Sequence, residues 1–164
     1  MMNLKQKVKY ILDHLKDITI QYYKENLISL IIFGSVGRGT FREDSDIDIL
    51  IIANNLPDGR LKRVEQFHSV EIQIENLLNQ YNLKQMYLSP IFKTPMEAQK
   101  GSPLFLDMIE DSIILYDKNN FFRSILHQLQ SNLNKLGAKR IYKGNIWYWN
   151  LKQDYKFGEE IKLL

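Results

Sequence analysis

Two apolar runs are joined by one polar link, and that link constrains the chain more than any other stretch. Leu27 to Phe33 closes on Gly34-Ser35; ten residues follow, Val36 to Ser45; then come Asp46-Ile47-Asp48 at the head of a run that ends at Ala53. Short apolar runs bounded by turn-forming residues predict strands, here 27–33 and 46–53, buried side by side. Residues i and i+2 of a strand project to the same side, so Asp46 and Asp48 are expected to form a close pair of like charges. Such a pair is costly unless a divalent cation sits between its members. Mg²⁺ is the expected ion, because it takes one or two carboxylates together with substrate phosphates. A plain polar loop would account for Gly34 and Ser35, but not for two aspartates leading into a core strand.

The other half of the link suits an anion. Gly34 lets the backbone turn sharply and approach a ligand closely. Ser35 is expected to cap a helix whose first N–H groups face a phosphate. Arg38, one turn on, is placed to hold a phosphate by paired hydrogen bonds. A phosphate cradle joined to metal-binding carboxylates is a site for phosphoryl or nucleotidyl transfer.

At Gly34, Ser35, Asp46 and Asp48, with ten residues between the pairs, the chain resembles the nucleotidyltransferase superfamily of DNA polymerase beta, and within it the minimal nucleotidyltransferase (MNT) branch. The resemblance implies an α+β fold: a polymerase-beta-type palm, a small mixed sheet flanked by helices, here followed by a C-terminal helix and hairpin. It implies transfer of a nucleoside monophosphate, AMP from ATP, to an acceptor hydroxyl, with Asp46 and Asp48 as catalytic and metal-binding residues and Gly34, Ser35 and Arg38 on the nucleotide. Some relatives of this kind are antitoxins that modify a toxin, so a protein acceptor is the implied partner; small molecules and RNA are the other classes. Active members usually add a third carboxylate on the next strand. Here that strand is QMYLSPIF, which holds no acid, and Tyr87 or Ser89 stands near the acid's place. Glu97, Asp107 and Asp111 are the candidate replacements, with a capping role the favoured reading of Glu97. If none serves, the alternative is a nucleotide-binding or partner-binding module that keeps the fold without catalysis.

At 164 residues the chain is expected to be a single domain, with a core over 25–117 and an appendage over 118–164. A net charge of +3 is too small to imply a nucleic-acid partner by itself. The chain has no cysteine, which excludes disulfide and thiol chemistry and fits the cytoplasm. Its apolar runs fall far short of the roughly 20 residues that span a bilayer, and the charged N-terminus is no signal peptide.

Along the chain, Leu4, Val8, Ile11, Leu12, Leu15 and Ile18 make one stripe of a helix over 3–24. Asn54-Asn55 and Pro57-Asp58-Gly59 predict a turn, and residues 60–80 a second helix. Residues 85–92 predict a third strand, with Pro90 pointing to a sheet edge. Thr94-Pro95-Met96-Glu97 has a capping-box pattern, and Ser102-Pro103 opens a short helix to Asp111. Ile113 to Tyr116 predicts a fourth strand, and 119–136 a helix stopped by Gly137. The tail reads as a hairpin turning at Lys143-Gly144-Asn145. Its segments GAKR, WYWNLK, DYK and GEE are similar to those of a group of archaeal and bacterial nucleotidyltransferase-domain proteins without an assigned activity. His14, His68 and His127 are scattered and read as structural or exposed. Lys139, Arg140, Lys143, Lys152 and Lys156 interleave with aromatic residues, a pattern that can bind RNA. Strand alternation is the favoured explanation, with Trp147 and Trp149 packing on the core.

Overall fold

The computed structural model describes residues 2–144 and 146–164. Its elements follow the expected order. Helix α1 (Leu4–Tyr23) leads into β1 (Leu27–Phe33), the short helix α2 (Gly34–Arg38), β2 (Ile47–Ala53) and α3 (Arg60–Gln80). Then come β3 (Leu88–Lys93), α4 (Pro95–Gln99), α5 (Phe105–Met108), β4 (Ile113–Asp117) and α6 (Phe121–Leu136). A hairpin of β5 (Lys139–Lys143) and β6 (Ile146–Asn150) forms a separate two-stranded sheet. Of the turn expected at Lys143-Gly144-Asn145, Asn145 lies outside the described residues.

The main sheet has the order β3-β2-β1-β4. Strand β1 runs antiparallel to both neighbours, and β2 runs parallel to β3. Strand β3 is an edge, which accommodates Pro90: an edge strand has one side on which a missing N–H costs no ladder bond. Helices cover both faces. Val8, Ile11 and Leu15 of α1 and Phe67, Val70 and Ile74 of α3 pack on one face against Leu30, Ile32, Ile49 and Ile51. Phe105 and Met108 of α5 and Phe122, Leu129 and Leu133 of α6 pack on the other against Ile31, Phe33, Leu50 and Ile52. A strand buried on both faces has no polar side to alternate with, which is why LISLIIF and IDILIIA are near-continuous apolar runs. Phe67, Phe105 and Phe122 are fully buried, and truncating any of them to Ala should cost about 3–5 kcal/mol.

Several boundaries differ from expectation. Strand β3 begins at Leu88 rather than at 85, because α3 is closed by turns in which Leu83 N–H bonds Leu78 and Met86 N–H bonds Leu83. The helix expected from Ser102 to Asp111 is cut to Phe105–Met108. Helix α6 starts at Phe121, after a 3-10 turn in which Asn119 and Asn120 both hold positive φ. Its free N–H groups find Asp117, whose carboxylate accepts from Phe122 N at 2.9 Å and Arg123 N at 3.0 Å. The same carboxylate accepts the buried Ser29 hydroxyl at 2.7 Å, tying β1 to β4 and α6. No helix of the described residues is long and apolar enough to cross a membrane.

Candidate functional site

Strand alternation places the aspartates. Ile47, Ile49 and Ile51 point to the α1–α3 face, so Asp48 points with Leu50 and Ile52 to the α5–α6 face. The strand itself starts at Ile47, and Asp46 sits just ahead of it. Both carboxylates are half-buried at the same end of the sheet. Phe33 pairs with Asp48 across β1 and β2, so Gly34 emerges from β1 beside that carboxylate. The fit is tight: a Cβ on Gly34 would lie 2.0 Å from Asp48 Oδ2. Gly34 also holds φ +64°, a left-handed value that side chains resist. Helix α2 begins at this residue, so Ser35 lies inside its first turn. The expectation that Ser35 is the cap is corrected: Phe33 holds the capping position, and no side chain bonds there. The φ of Gly34 turns the chain one residue earlier than a serine cap would require.

Strand β3 supplies the partners of both aspartates. Asp48 pairs in register with Ser89, and Ile47 N–H bonds the Tyr87 carbonyl at 2.9 Å. The register sets the Ser89 hydroxyl beside Asp48 and the Tyr87 side chain beside Asp46. Burial pushes the Asp48 carboxyl above the usual range, and the Asp46 charge raises it further. The neighbouring Ser89 hydroxyl and the Arg38 charge only partly oppose that rise. Arg38 is exposed, and its charge acts on Asp107 as well as on Asp48. The structure therefore brings Gly34, Arg38, Asp46 and Asp48 to one end of the sheet, with Ser35 in the adjoining helical turn.

None of the candidate replacement acids joins them. Glu97 follows β3 at its far end, beyond Lys93, the partner of Ile52. That is roughly 15 Å along the strands from Asp48. Glu97 completes the capping box with Thr94 and takes both arms of Arg63, at 2.7 and 2.9 Å. Asp111 bonds Arg140, and Asp107 is raised by burial against the charges of Arg140 and Arg38. Among the described residues no three His, Asp or Glu side chains gather to hold a metal ion. Two carboxylates still suit one divalent cation. The Asp46 charge raises Asp48, whose carboxylate fills the room that a side chain on Gly34 would take, and a cation with phosphate ligands would relieve that repulsion.

The hairpin holds a residue that the alternating basic and aromatic pattern misreads. Arg140 is almost wholly buried. It bonds Glu110 and Asp111 and lies over the Trp147 ring at 3.9 Å. Trp149 does pack on the apolar core, whereas Trp147 serves this cation. Arg140 is thus spent inside the protein. The Asp111 carbonyl lies where a Cβ on Gly37 would fall, 2.4 Å away, so Gly37 lets α2 seat against the loop before β4. A glycine inside a short helical turn is the signal that marks such close packing in the sequence.

The nucleotidyltransferase domain profile matches residues 12–116. The putative protein adenylyltransferase MJ1305 of Methanocaldococcus jannaschii is 31% identical over 128 residues, covering 77% of this chain and 83% of that protein. A second putative protein adenylyltransferase of the same organism, MJ0141, is 29% identical over 106 residues, covering 63% of this chain and 92% of its own length. Among solved structures, a toxin–antitoxin with AMP-PNP aligns at a TM-score of 0.44 and 13% identity, over 82% of this chain and 94% of that one. The chain belongs to the nucleotidyltransferase domain family.

Proposed function

We propose that this chain transfers AMP from ATP to a hydroxyl on a protein acceptor, with residues 25–117 as the working core. The observation that carries the reading is the contact of the Asp48 carboxylate with the bare Cα of Gly34, which sets a phosphate-approaching turn against a metal-binding acid. Gly34 and Ser35 would face the terminal phosphates, and Arg38 would bind them from the exposed end of α2. Asp46 and Asp48 would hold Mg²⁺, which neutralises charge on the triphosphate when bound. The acceptor oxygen attacks the α-phosphorus, the bond to the β-phosphate breaks, and pyrophosphate leaves. Ser89 and Tyr87 keep Asp48 and Asp46 oriented from the neighbouring strand. The protein adenylyltransferase names of the two archaeal relatives support a protein acceptor, and a toxin is the kind of partner that the sequence resemblance implies.

The absence of a third carboxylate among the described residues favours one other reading, a nucleotide-dependent binding module. Calorimetry with ATP should show binding with Mg²⁺ and little with EDTA, and the Asp46→Asn/Asp48→Asn double variant should lose that dependence. Unchanged Mg²⁺-dependent binding in the double variant would sink the site. Wild-type chain that binds Mg²⁺–ATP yet transfers no labelled AMP to any protein or RNA would establish the binding module.

A further inference from the structure

Tyr87 is the side chain that folding explains least. It is 55% exposed, yet its neighbours Met86 and Leu88 are 3% and 6% exposed and fix its backbone. Its ring therefore stands on a rigid base in front of the sheet edge. The Ile47 N–H to Tyr87 carbonyl bond sets it beside Asp46, as the next step of the β2–β3 register. The register thus sets the Tyr87 side chain beside that of Asp46, a carboxylate that our reading gives to the metal, on the side from which an acceptor hydroxyl has to approach.

We infer that Tyr87 is a self-acceptor: in the presence of a nucleoside triphosphate the chain places a nucleoside monophosphate on its own Tyr87 hydroxyl. The inference rests on the proposed transfer activity. The new bond joins the phenol oxygen to the α-phosphorus, and the bond between the α- and β-phosphates breaks. Pyrophosphate leaves, and the phenol proton passes through the Asp46 carboxylate to water. No electron is exchanged and no other reactant is needed. Exposure alone does not single Tyr87 out, because Tyr142, Tyr148 and Tyr155 are 63%, 52% and 51% exposed. Those three lie on the hairpin and the tail, and Tyr22 bonds the Gln66 carbonyl. Ser89, the other hydroxyl at the aspartates, is half-buried and less open to a triphosphate.

The test is incubation of the whole chain with ATP and Mg²⁺, followed by intact mass and peptide mapping. The expected result is addition of one AMP, mapped to Tyr87, absent from Tyr87→Phe and from Asp48→Asn. A label on the hairpin or tail tyrosines, or one that persists in Tyr87→Phe, overturns the inference. So does transfer of AMP to other proteins with Tyr87 never modified, which leaves the transfer activity standing. If ATP shows no Mg²⁺-dependent binding at all, both fall. A readout independent of turnover is the NMR signal of ring-labelled tyrosine. Mg²⁺ alone should shift the Tyr87 signal in wild type and not in Asp46→Asn, and an unmoved signal in wild type removes Tyr87 from the site.

Discussion

Carboxylates stand near both ends of β3, Asp48 on neighbouring β2 and Glu97 on α4, and the fold treats them in opposite ways. At the C-terminal end Glu97 meets the fork of Arg63 and the Thr94 N–H. Those bonds, Arg63's first, hold its carboxyl down to about 2. At the N-terminal end Asp48 has only a serine hydroxyl and the charge of Arg38 beside it, and burial with Asp46 pushes it up. One end is electrostatically closed, and the other is left open. A cleft of ≈ 490 Å³ lies at the closed end, lined by Arg60, Arg63, Pro90, Phe92 and Glu97. Depth does not separate the two ends, because a hollow of ≈ 440 Å³ lined in part by Val36, Gly37, Arg38 and Gly39 lies beside α2; the charge left unresolved at Asp48 is what sets the proposed site apart.

The largest effect should come from Gly34→Val at the open end. A side chain there must either move the Asp48 carboxylate, 2.0 Å from the new Cβ, or abandon φ +64°. We expect a loss of about 2–4 kcal/mol in denaturant unfolding, with nucleotide binding abolished. Wild-type stability together with intact Mg²⁺–ATP binding would break the view that this contact builds the site.

Next is Arg63→Ala at the closed end. Arg63 also donates to the Pro57 and Phe92 carbonyls, so the change strands acceptors on three segments. A loss of about 2 kcal/mol is expected, with Mg²⁺-dependent ATP binding unchanged by calorimetry. Lost binding at unchanged stability would mean that the two ends are not separate in function.

The pH dependence of the closed end should be smaller. Glu97 titrates lower in the folded chain than in the unfolded one, from 4.5 to about 2. Its contribution is therefore complete above the unfolded value and is lost as pH falls from about 4.5 to 2. Glu97 is 40% exposed, so water screens the pair, and about 1 kcal/mol is the expected size. Unfolding of wild type and Glu97→Gln should converge across that window. A difference that stays constant with pH would show that the bond to Arg63 matters for its geometry and not its charge.

How much of this was legible in the sequence follows from range. The strands β1 and β2 were readable because burial on both faces leaves an unbroken apolar run, and β1 falls at its expected bounds. The capping box of α4 was readable because both partners sit within four residues. The grip of Arg63 on Glu97 was not, since 34 positions separate them. The same holds for Ser29 with Asp117, 88 apart, and for Arg140 with Glu110 and Asp111. At the open end, Tyr87 and Ser89 were identifiable as the residues in the third acid's place. Their placement beside Asp46 and Asp48 follows only from the β2–β3 register.

The smallest effect has the opposite sign. Asp48 titrates higher in the folded chain, so its ionised form costs stability once pH exceeds the unfolded value, and that cost is absent at lower pH. Asp48→Asn removes the charge and keeps the size of the side chain and a carbonyl oxygen beside Ser89. The site is half-exposed and water screens much of the repulsion, so the expected gain is about 0.5 kcal/mol, or a Tm higher by about 1–2 °C. The gain should appear at neutral pH without metal and vanish below the range of an ordinary carboxylate. Mg²⁺ should then reverse the ranking, because it stabilises only the chain that can bind it. A variant less stable than wild type at neutral pH without metal would mean that the Asp48 charge is already matched, and the open end would be as closed as the other.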